Sequence, residues 1–387
     1  MRSSWVSLFA ALTMLGACGT GVQEWQGVIE EHDGVVLVQN PAVGLWEGRD
    51  PFPVRLELEQ VFGVDLEPAE AMLAVPIGVA VDGDGNVYVL DRQANSLVAF
   101  SPDGEVIWRV ERQGQGPGEF HFPRSVSWDG DQRLYISNQS ATRIEVFDLE
   151  GNYLESQLVA ELDAVGGRFT GFLDPDTLVL WDMELGRLGA QTYVFEVGDS
   201  WQLKAKFFVD GGTDSLDQWN MGHISVRVGQ GSIRTGHRIE YLLREFDSAG
   251  NLQRVITRDF RRVIPPVAVD GFVWSFGAFE APMVLPNGYL LVPVYWATNV
   301  DSEEDFLEIL SRTPASQVTH TTPDELVDMD SAFDFLDQEG RYLGSLRWRG
   351  YFPDMGYLDG IGPDGRLYTH WLDPFPQVRR YRIVIEE

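Results

Sequence analysis

The fold is decided by a stretch that the chain repeats, Val79-Ala80-Val81-Asp82-Gly83-Asp84-Gly85-Asn86-Val87-Tyr88-Val89-Leu90-Asp91. Its second copy is Val126-Ser127-Trp128-Asp129-Gly130-Asp131-Gln132-Arg133-Leu134-Tyr135-Ile136-Ser137-Asn138. The two central tyrosines are about 47 residues apart, and so are Gly104 and Gly151 in the turns downstream of each copy. Short strands and tight turns that recur at a period in the forties are typical of β-propeller blades.

Four weaker copies follow the first two, at residues 172–195, 224–250, 283–340 and 361–383. Strand segments such as 87–90 are apolar on successive residues, so both of their faces must be covered, as they are between stacked blades. The sequence therefore predicts an all-β fold, a six-bladed β-propeller of four-stranded antiparallel blades. Segments 35–38 and 54–58 are also strand-like, and we expect one of them to complete the last blade and close the ring.

Two glycine- and aspartate-rich patterns need a separate interpretation. Asp82-x-Asp84-x-Asn86 begins like a calcium loop, but Val87 and Gln93 stand where that loop requires Gly and Glu. A hairpin turn is the better interpretation, because Asp-Gly supplies the positive φ angles that tight hairpins need. The glycines of segment 114–118 are not followed by a helix, so they indicate a connection between blades and not a phosphate loop.

The first 18 residues have the pattern of an export signal. Arg2 supplies a positive charge, residues 5–15 form an apolar run too short to span a bilayer, and Leu15-Gly16-Ala17-Cys18 follows. This ending resembles the lipobox of bacterial lipoproteins, in which the cysteine becomes the lipid-carrying first residue. Cys18 is the only cysteine, so the chain has no internal disulfide. We expect a lipid on Cys18 that anchors the protein to a bacterial membrane, in the periplasm or at the cell surface; an ordinary secretory signal is the alternative.

Composition limits the class of partner. With 59 acidic and 29 basic residues, the formal net charge is -30. Such a charge repels nucleic-acid phosphates, so we expect no nucleic-acid partner. It keeps an exported protein soluble, and a solvated acidic surface is its simplest interpretation; an affinity for cationic ligands or divalent ions is the alternative.

We expect three segments: a signal peptide at 1–18, a tether at 19–30 and a single propeller at 31–387. An insertion at about 297–332 interrupts the repeat period. Ser302 is predicted to cap a short helix there, and Thr322-Pro323-Asp324-Glu325 is a second capping pattern. Such an insertion is either a site of function or a decorative loop.

The repeats resemble the NHL repeat. The resemblance rests on residues 77–104, which contain Gly-Asn-Val-Tyr-Val and end in Phe-Ser-Pro-Asp-Gly, and on the connector 114–120. More widely, the chain is similar to six-bladed propeller lipoproteins of bacteria over nearly all of its length after about residue 60. The resemblance implies a fold and a cell-envelope location, and it transfers no catalytic residue.

Candidate binding residues follow from where propellers bind ligands, which is around the channel mouth where the innermost strands begin. The positions expected there are Pro76, Arg124, Thr170, His223, Glu280 and Asp359. We select Arg124, His223, Glu280 and Asp359 as candidates because charged and polar groups at a channel mouth can orient a ligand. Ion pairs lining a solvated channel explain the charged members equally well. Trp219, Trp274, Trp296 and Trp371 offer stacking surfaces, although tryptophans between blades usually belong to the core.

Two functions remain open. The first is a non-enzymatic binding module for a protein, peptide or glycan. It is favoured because the sequence has no Gly-x-Ser-x-Gly elbow and no histidine pair at helical metal-site spacing, so we predict no catalytic residue, metal ligand or cofactor. The alternative is a metal-dependent hydrolase of the lactonase or esterase type, or a lyase, with Glu280, Asn299 and Asp359 around a channel calcium; it rests on analogy of fold.

Overall fold

The computed structural model describes residues 24–64, 71–138, 142–164, 169–183, 189–198, 200–210, 224–237, 240–260, 267–269, 272–274, 277–312, 327–352, 355–372 and 375–386. Within the described residues six sheets are arranged as blades, each with antiparallel pairing between its consecutive strands, and a separate two-stranded hairpin follows the fourth blade in the chain. The predicted six-bladed β-propeller is confirmed. Cys18, His223 and the capping pattern at 322–325 lie outside the described residues.

The first half of the chain forms three leading strands and three blades. The leading strands are β1 (Val28–His32), β2 (Val35–Asn40) and β3 (Val54–Phe62). Blade 1 contains β4 (Pro76–Val81), β5 (Val87–Asp91), β6 (Ser96–Phe100) and β7 (Val106–Glu111). Blade 2 contains β8 (Ser125–Trp128), β9 (Arg133–Asn138), β10 (Arg143–Asp148) and β11 (Tyr153–Leu158), followed by a 3-10 helix at Val159–Leu162. Blade 3 contains β12 (Phe169–Asp174), β13 (Thr177–Met183), β14 (Gly189–Glu196) and β15 (Gln202–Asp210).

The second half forms blades 4 to 6. Blade 4 contains β16 (Ile224–Gly229), β17 (Ser232–His237), β18 (Leu242–Phe246) and β19 (Leu252–Arg258). The separate hairpin is β20 (Val267–Val269) and β21 (Phe272–Trp274). Blade 5 contains β22 (Gly277–Phe279), β23 (Met283–Val284), β24 (Leu290–Ala297), β25 (Met329–Leu336) and β26 (Tyr342–Arg349); β22 and β23 both pair with β24, so its inner strand is broken in two. Blade 6 begins with β27 (Tyr357–Ile361), β28 (Leu367–Trp371) and β29 (Gln377–Ile385).

The ring is closed by a strand from the N-terminal part of the chain. β3 pairs antiparallel with β29 and is the fourth strand of blade 6, so one of the two predicted closing segments does close the ring. The other behaves differently: β2 pairs in parallel with β19, and together with β1 it extends blade 4 to six strands. Because β1 begins at Val28, the last three residues of the segment predicted as a tether belong to this sheet.

In the described part of the chain the core consists of six apolar clusters, one between each pair of neighbouring blades. β5 shows why the strands are apolar throughout, since all five of its residues are buried. Val87 and Val89 pack toward blade 6, whereas Tyr88 and Leu90 pack toward blade 2. Side chains alternate between the two faces of a strand, so a blade between two neighbours needs apolar residues on both. Each fully buried side chain of this size contributes about 1.5–3 kcal/mol.

Aspartate carboxylates hold the hairpin turns. Asp82 Oδ1 accepts hydrogen bonds from the backbone N–H groups of Asp84 at 3.0 Å and Asn86 at 2.8 Å, and Gly85 has a φ of +84°. Asp82 Oδ2 accepts from the Tyr88 hydroxyl at 2.8 Å. The same backbone pattern recurs at Asp148, Asp247 and Asp337. The hairpin interpretation of this repeat is therefore confirmed, and the aspartate acts as an acceptor for the turn.

The insertion after β24 contains the helix α1 (Glu303–Arg312). Ser302 caps it as predicted, because its Oγ accepts a hydrogen bond from the Asp305 N–H at 3.2 Å. Phe306 is fully buried and joins the apolar cluster between blades 4 and 5, which fixes the helix to the disc. No helix in the described part of the chain is long and apolar enough to cross a membrane.

Candidate functional site

The six inner strands define the two faces of the disc. Neighbouring inner strands contact each other, as in the pairs β4–β8, β8–β12 and β12–β16, and they surround the central channel. We call the face where inner strands begin the upper face, and the other the lower face. In an antiparallel blade of four strands, the connection before the first strand and the one between the second and third both lie on the upper face.

Arg227 crosses the channel. It lies on β16 in blade 4, and its guanidinium donates hydrogen bonds to backbone carbonyls of β27 in blade 6. Nη1 donates to the Asp359 carbonyl at 2.7 Å, and Nη2 to the Leu358 carbonyl at 3.4 Å. Because blade 5 stands between these two blades, the side chain must span the space around the axis.

Two predicted site residues face this cation. Burial lowers the pKa of Arg227, and the negative charges of Glu280 and Asp359 offset part of that effect. Glu280 lies at the break between β22 and β23, where its N–H donates to the Pro293 carbonyl at 2.9 Å. The structure thus places Glu280 and Asp359 near the same cation, Arg227, which the sequence analysis did not select.

Asp359 also orients a histidine. His370 Nδ1 lies 3.0 Å from both carboxylate oxygens of Asp359, and the two side chains are 13% and 8% exposed. A β-bulge between Leu358 and Gly360 directs the Asp359 side chain toward His370 on β28. Burial would lower the pKa of His370, but the charge and hydrogen bond of Asp359 outweigh it and raise that pKa. Within the described residues, Nε2 of His370 has no hydrogen-bond partner.

The other predicted positions are placed elsewhere. Arg124 lies just before β8, where its N–H donates to the Ser137 carbonyl at 2.8 Å, and it forms no ion pair with a described carboxylate. Thr170 joins blades 2 and 3, because its Oγ1 lies 2.6 Å from Ser127 Oγ. Asn299 lies at the base of the insertion, where its Oδ1 accepts from the Asp328 N–H at 3.0 Å. The described residues contain no group of three or more His, Cys, Asp or Glu side chains placed to hold a metal ion.

Among the described residues, exposed aromatic side chains lie only on the upper face. In the described part of the chain, the aromatic residues that are more than a third exposed are Phe375 (69%), Phe122 (56%), Tyr357 (52%) and Tyr351 (38%). All four lie in upper-face segments: before β8, between β26 and β27, at the start of β27, and between β28 and β29. Tyr357 also stacks on His370 with ring centroids 5.2 Å apart, which links this surface to the channel residues.

The tryptophans considered as stacking surfaces do not form this surface. Trp296 packs edge-on against Phe260 with ring centroids 5.3 Å apart, in the cluster between blades 4 and 5. The Trp371 ring is covered by the Arg379 guanidinium at 4.3 Å. Trp219 and the side chain of Trp274 lie outside the described residues.

Sequence reasoning missed Arg227 and His370. Arg227 could have been selected from the sequence, because it is the single charged residue in the otherwise uncharged inner strand Ile224–Gly229. His370 lies on the second strand of its blade, and only the bulge in β27 places a carboxylate against it. That bulge has no signature in the local sequence that we recognise.

Comparisons with known proteins agree with this architecture. A family model described as a six-bladed β-propeller, DUF5128, matches residues 58–182, from within β3 to β13. NHL repeat-containing protein 3 of Homo sapiens is 29% identical over 119 residues, which are 29% of this chain and 34% of that protein. The chain therefore spans about a third of the length of this curated relative, and the same holds for the Mus musculus protein.

Two solved structures share the fold over nearly the whole chain. A Bacteroides fragilis protein is 8% identical with a TM-score of 0.55, covering 91% of this chain and 100% of that one. A member of the DUF4221 family from Bacteroides vulgatus is 12% identical with a TM-score of 0.51, covering 86% and 99%. At such identities the similarity shows the fold alone. The predicted resemblance is confirmed: this chain is a six-bladed β-propeller whose first blades are similar to NHL repeats.

Proposed function

We propose that this protein is a non-enzymatic binding module, held at a bacterial cell envelope by a lipid on Cys18, that binds a peptide, protein or glycan on its upper face. The observation that carries the proposal is the confinement of the four exposed aromatic residues to that face. Exposed aromatic side chains supply large contact areas with few rotatable bonds, and they are enriched where proteins bind partners.

Two exposed aliphatic residues on the rim provide a contrast. Ile107 and Leu154 are also exposed, but they lie on β7 and β11, the outermost strands of their blades. Single exposed aliphatic residues of this kind are normal on protein surfaces. The channel beneath the aromatic residues is crossed by Arg227, so a ligand would bind over the mouth.

The test compares two double variants of the purified protein against immobilised panels of peptides and oligosaccharides. Tyr357→Ala/Phe375→Ala should no longer bind the peptides or oligosaccharides that the wild type binds. The matched control Ile107→Ala/Leu154→Ala removes the same number of exposed apolar side chains from the rim and should retain binding. Equal binding by both double variants, or chemical conversion of the bound panel member, would contradict the proposal.

The envelope location is tested separately. Cys18→Ser removes the acceptor of the lipid and should move the protein from the membrane fraction to the soluble fraction after export. Continued retention in the membrane fraction would overturn the lipoprotein part of the proposal and leave the binding part intact.

A second function, a channel enzyme of the hydrolase or lyase class, is favoured by the Asp359–His370 pair. A histidine whose Nδ1 is held by a carboxylate can use Nε2 as a general base. Turnover of a lactone, ester or cyclic peptide that His370→Gln abolishes and Ile107→Ala retains would support this function. A saturable rise in melting temperature with calcium, lost in Glu280→Ala, would support its metal-dependent form.

A further inference from the structure

A row of four charged side chains crosses blade 4 from the channel toward the rim. Arg227 is directly opposite Arg234, Arg234 is opposite Glu245, and Glu245 is opposite Arg254. Residues directly opposite one another on paired strands project from the same face of the sheet. Three cations and one anion therefore share one face of this blade, in a protein whose formal net charge is -30.

This face of blade 4 packs against blade 5. Arg254 Nη1 donates to the Gln338 carbonyl at 2.8 Å, and Gln338 lies in the turn between β25 and β26. A small cleft remains between the blades, and Arg234, Glu245, Arg254, Pro282 and Leu290 are among its lining residues. The cleft lies toward the lower face, because Arg234 and Arg254 follow closely on the lower turns before β17 and β19.

Arg234 has one buried donor without an acceptor in the described part of the chain. It is 5% exposed, its Nη1 donates to Ser232 Oγ and its Nη2 to the Gly229 carbonyl, both at 2.8 Å. Its Nε is buried without a hydrogen-bond partner among the described residues.

Glu245, the anion opposite Arg234, is already paired with Arg254. Arg254 donates to Glu245 Oε2 from Nε at 2.9 Å and lies within 2.7 Å through Nη2. Burial lowers the pKa of Arg234 to about 10; Glu245 offsets part of this, while Arg227 and Arg254 lower it further. A buried cation with an unsatisfied donor, whose one neighbouring anion is already paired with Arg254, is costly to keep without a further anion.

We propose that the cleft between blades 4 and 5 binds an oxyanion, the carboxylate or phosphate group of a ligand, through the Nε–H edge of Arg234. A guanidinium presents planar, paired donors that match carboxylate and phosphate oxygens. Binding would satisfy the buried Nε–H and supply Arg234 with an anion of its own. The site lies toward the face opposite the exposed aromatic residues, so it is separate from the ligand site proposed above.

Isothermal titration calorimetry of the full chain with inorganic phosphate, and separately with acetate, at constant ionic strength tests the site. Saturable binding of either anion is expected, and the tighter of the two identifies the ligand chemistry. Arg234→Lys keeps the positive charge but removes the Nε–H edge, and it should weaken binding by about tenfold or more. The matched control Arg382→Lys, at an exposed pair with Glu57, should bind like the wild type.

Three results would overturn the proposal: no saturable binding of phosphate or acetate, equal weakening by Arg234→Lys and Arg382→Lys, or wild-type affinity in Arg234→Lys. If Arg234→Lys does not fold, Arg234→Gln is tested in its place with the same criteria, and the wild-type titration still decides whether an anion binds. The Tyr357→Ala/Phe375→Ala variant should retain its anion affinity, which separates failure of this site from failure of the aromatic surface.

Discussion

Arg258 Nη1 lies 2.5 Å from Asp334 Oδ2, with both side chains almost completely buried between blades 4 and 5. The guanidinium also covers the Tyr342 ring at 3.7 Å, and Asp334 Oδ1 accepts a hydrogen bond from Ser345 Oγ at 2.5 Å. Both charges are therefore compensated from more than one side. This pair fixes the last strand of blade 4 to the third strand of blade 5.

Removing one member of this pair should be strongly destabilising. Asp334→Ala leaves Arg258 buried without its counter-charge, and we expect a loss of about 3–5 kcal/mol in the free energy of unfolding measured with urea. The double variant Arg258→Met/Asp334→Leu leaves no buried charge and should recover most of the loss. A loss below about 1 kcal/mol in Asp334→Ala would show that the pair is not buried as described.

Closure of the ring by β3 predicts that buried residues of this strand contribute strongly to stability. Phe62 is 1% exposed and packs on Phe100 of blade 1 with ring centroids 5.8 Å apart, so it joins the closing strand to the next blade. Phe62→Ala should lower the free energy of unfolding by about 3–5 kcal/mol. Val28→Ala, on the exposed strand β1 outside the ring, should change it by less than about 0.5 kcal/mol. Similar effects of the two substitutions would contradict closure by β3.

The Asp359–His370 pair predicts a pH dependence of stability. The folded-state pKa of His370 is raised above 6.5, so the pair contributes fully below pH 6.5 and its contribution is lost as the pH rises through the raised pKa. The melting-temperature difference between wild type and His370→Gln should therefore shrink between about pH 5.5 and about pH 8.5. In an Asp359→Asn background the same comparison should be nearly flat. A difference that grows with pH would show that the charge of His370 is not stabilised by Asp359.

The Arg227 side chain, which crosses the channel, should contribute measurably to the free energy of unfolding. Arg227→Met keeps the aliphatic stem but removes the hydrogen bonds to β27 and leaves Glu280 and Asp359 without a nearby cation. We expect a loss of about 1.5–3 kcal/mol in urea unfolding. Arg312→Met, which breaks an exposed pair with Glu308, should have an effect within about 0.5 kcal/mol. An equally small effect of Arg227→Met would mean that the channel is not bridged.

The sequence predicted the fold well because its signals are local. The turn from Asp82 to Asn86 and the strand after it lie within one hairpin, and the two-sided apolar pattern of β5 requires a neighbour on each side. The closing role of β3 was predicted only as one of two choices. Residues 35–38 are uniformly apolar, whereas residues 54–58 alternate apolar and charged side chains, but neither pattern specifies which blade the strand pairs with.

The candidate site was predicted less well because it depends on contacts between distant blades. Glu280 and Asp359 were found from their positions near the starts of inner strands. Their partner Arg227 is more than 50 residues away from either, and its reach across the channel is a property of the ring. The aromatic surface was not predicted because Tyr357 and Phe375 lie in segments whose composition does not indicate whether their side chains are exposed.

The central claim, that ligands bind over the aromatic residues of the upper face, is tested most directly by one ratio of affinities. The dissociation constant of Tyr357→Ala/Phe375→Ala for a ligand retained by the wild type is compared with that of Ile107→Ala/Leu154→Ala. The account predicts that the first double variant binds about tenfold more weakly or worse, while the second stays within about twofold of the wild type. Wild-type affinity in Tyr357→Ala/Phe375→Ala would contradict it.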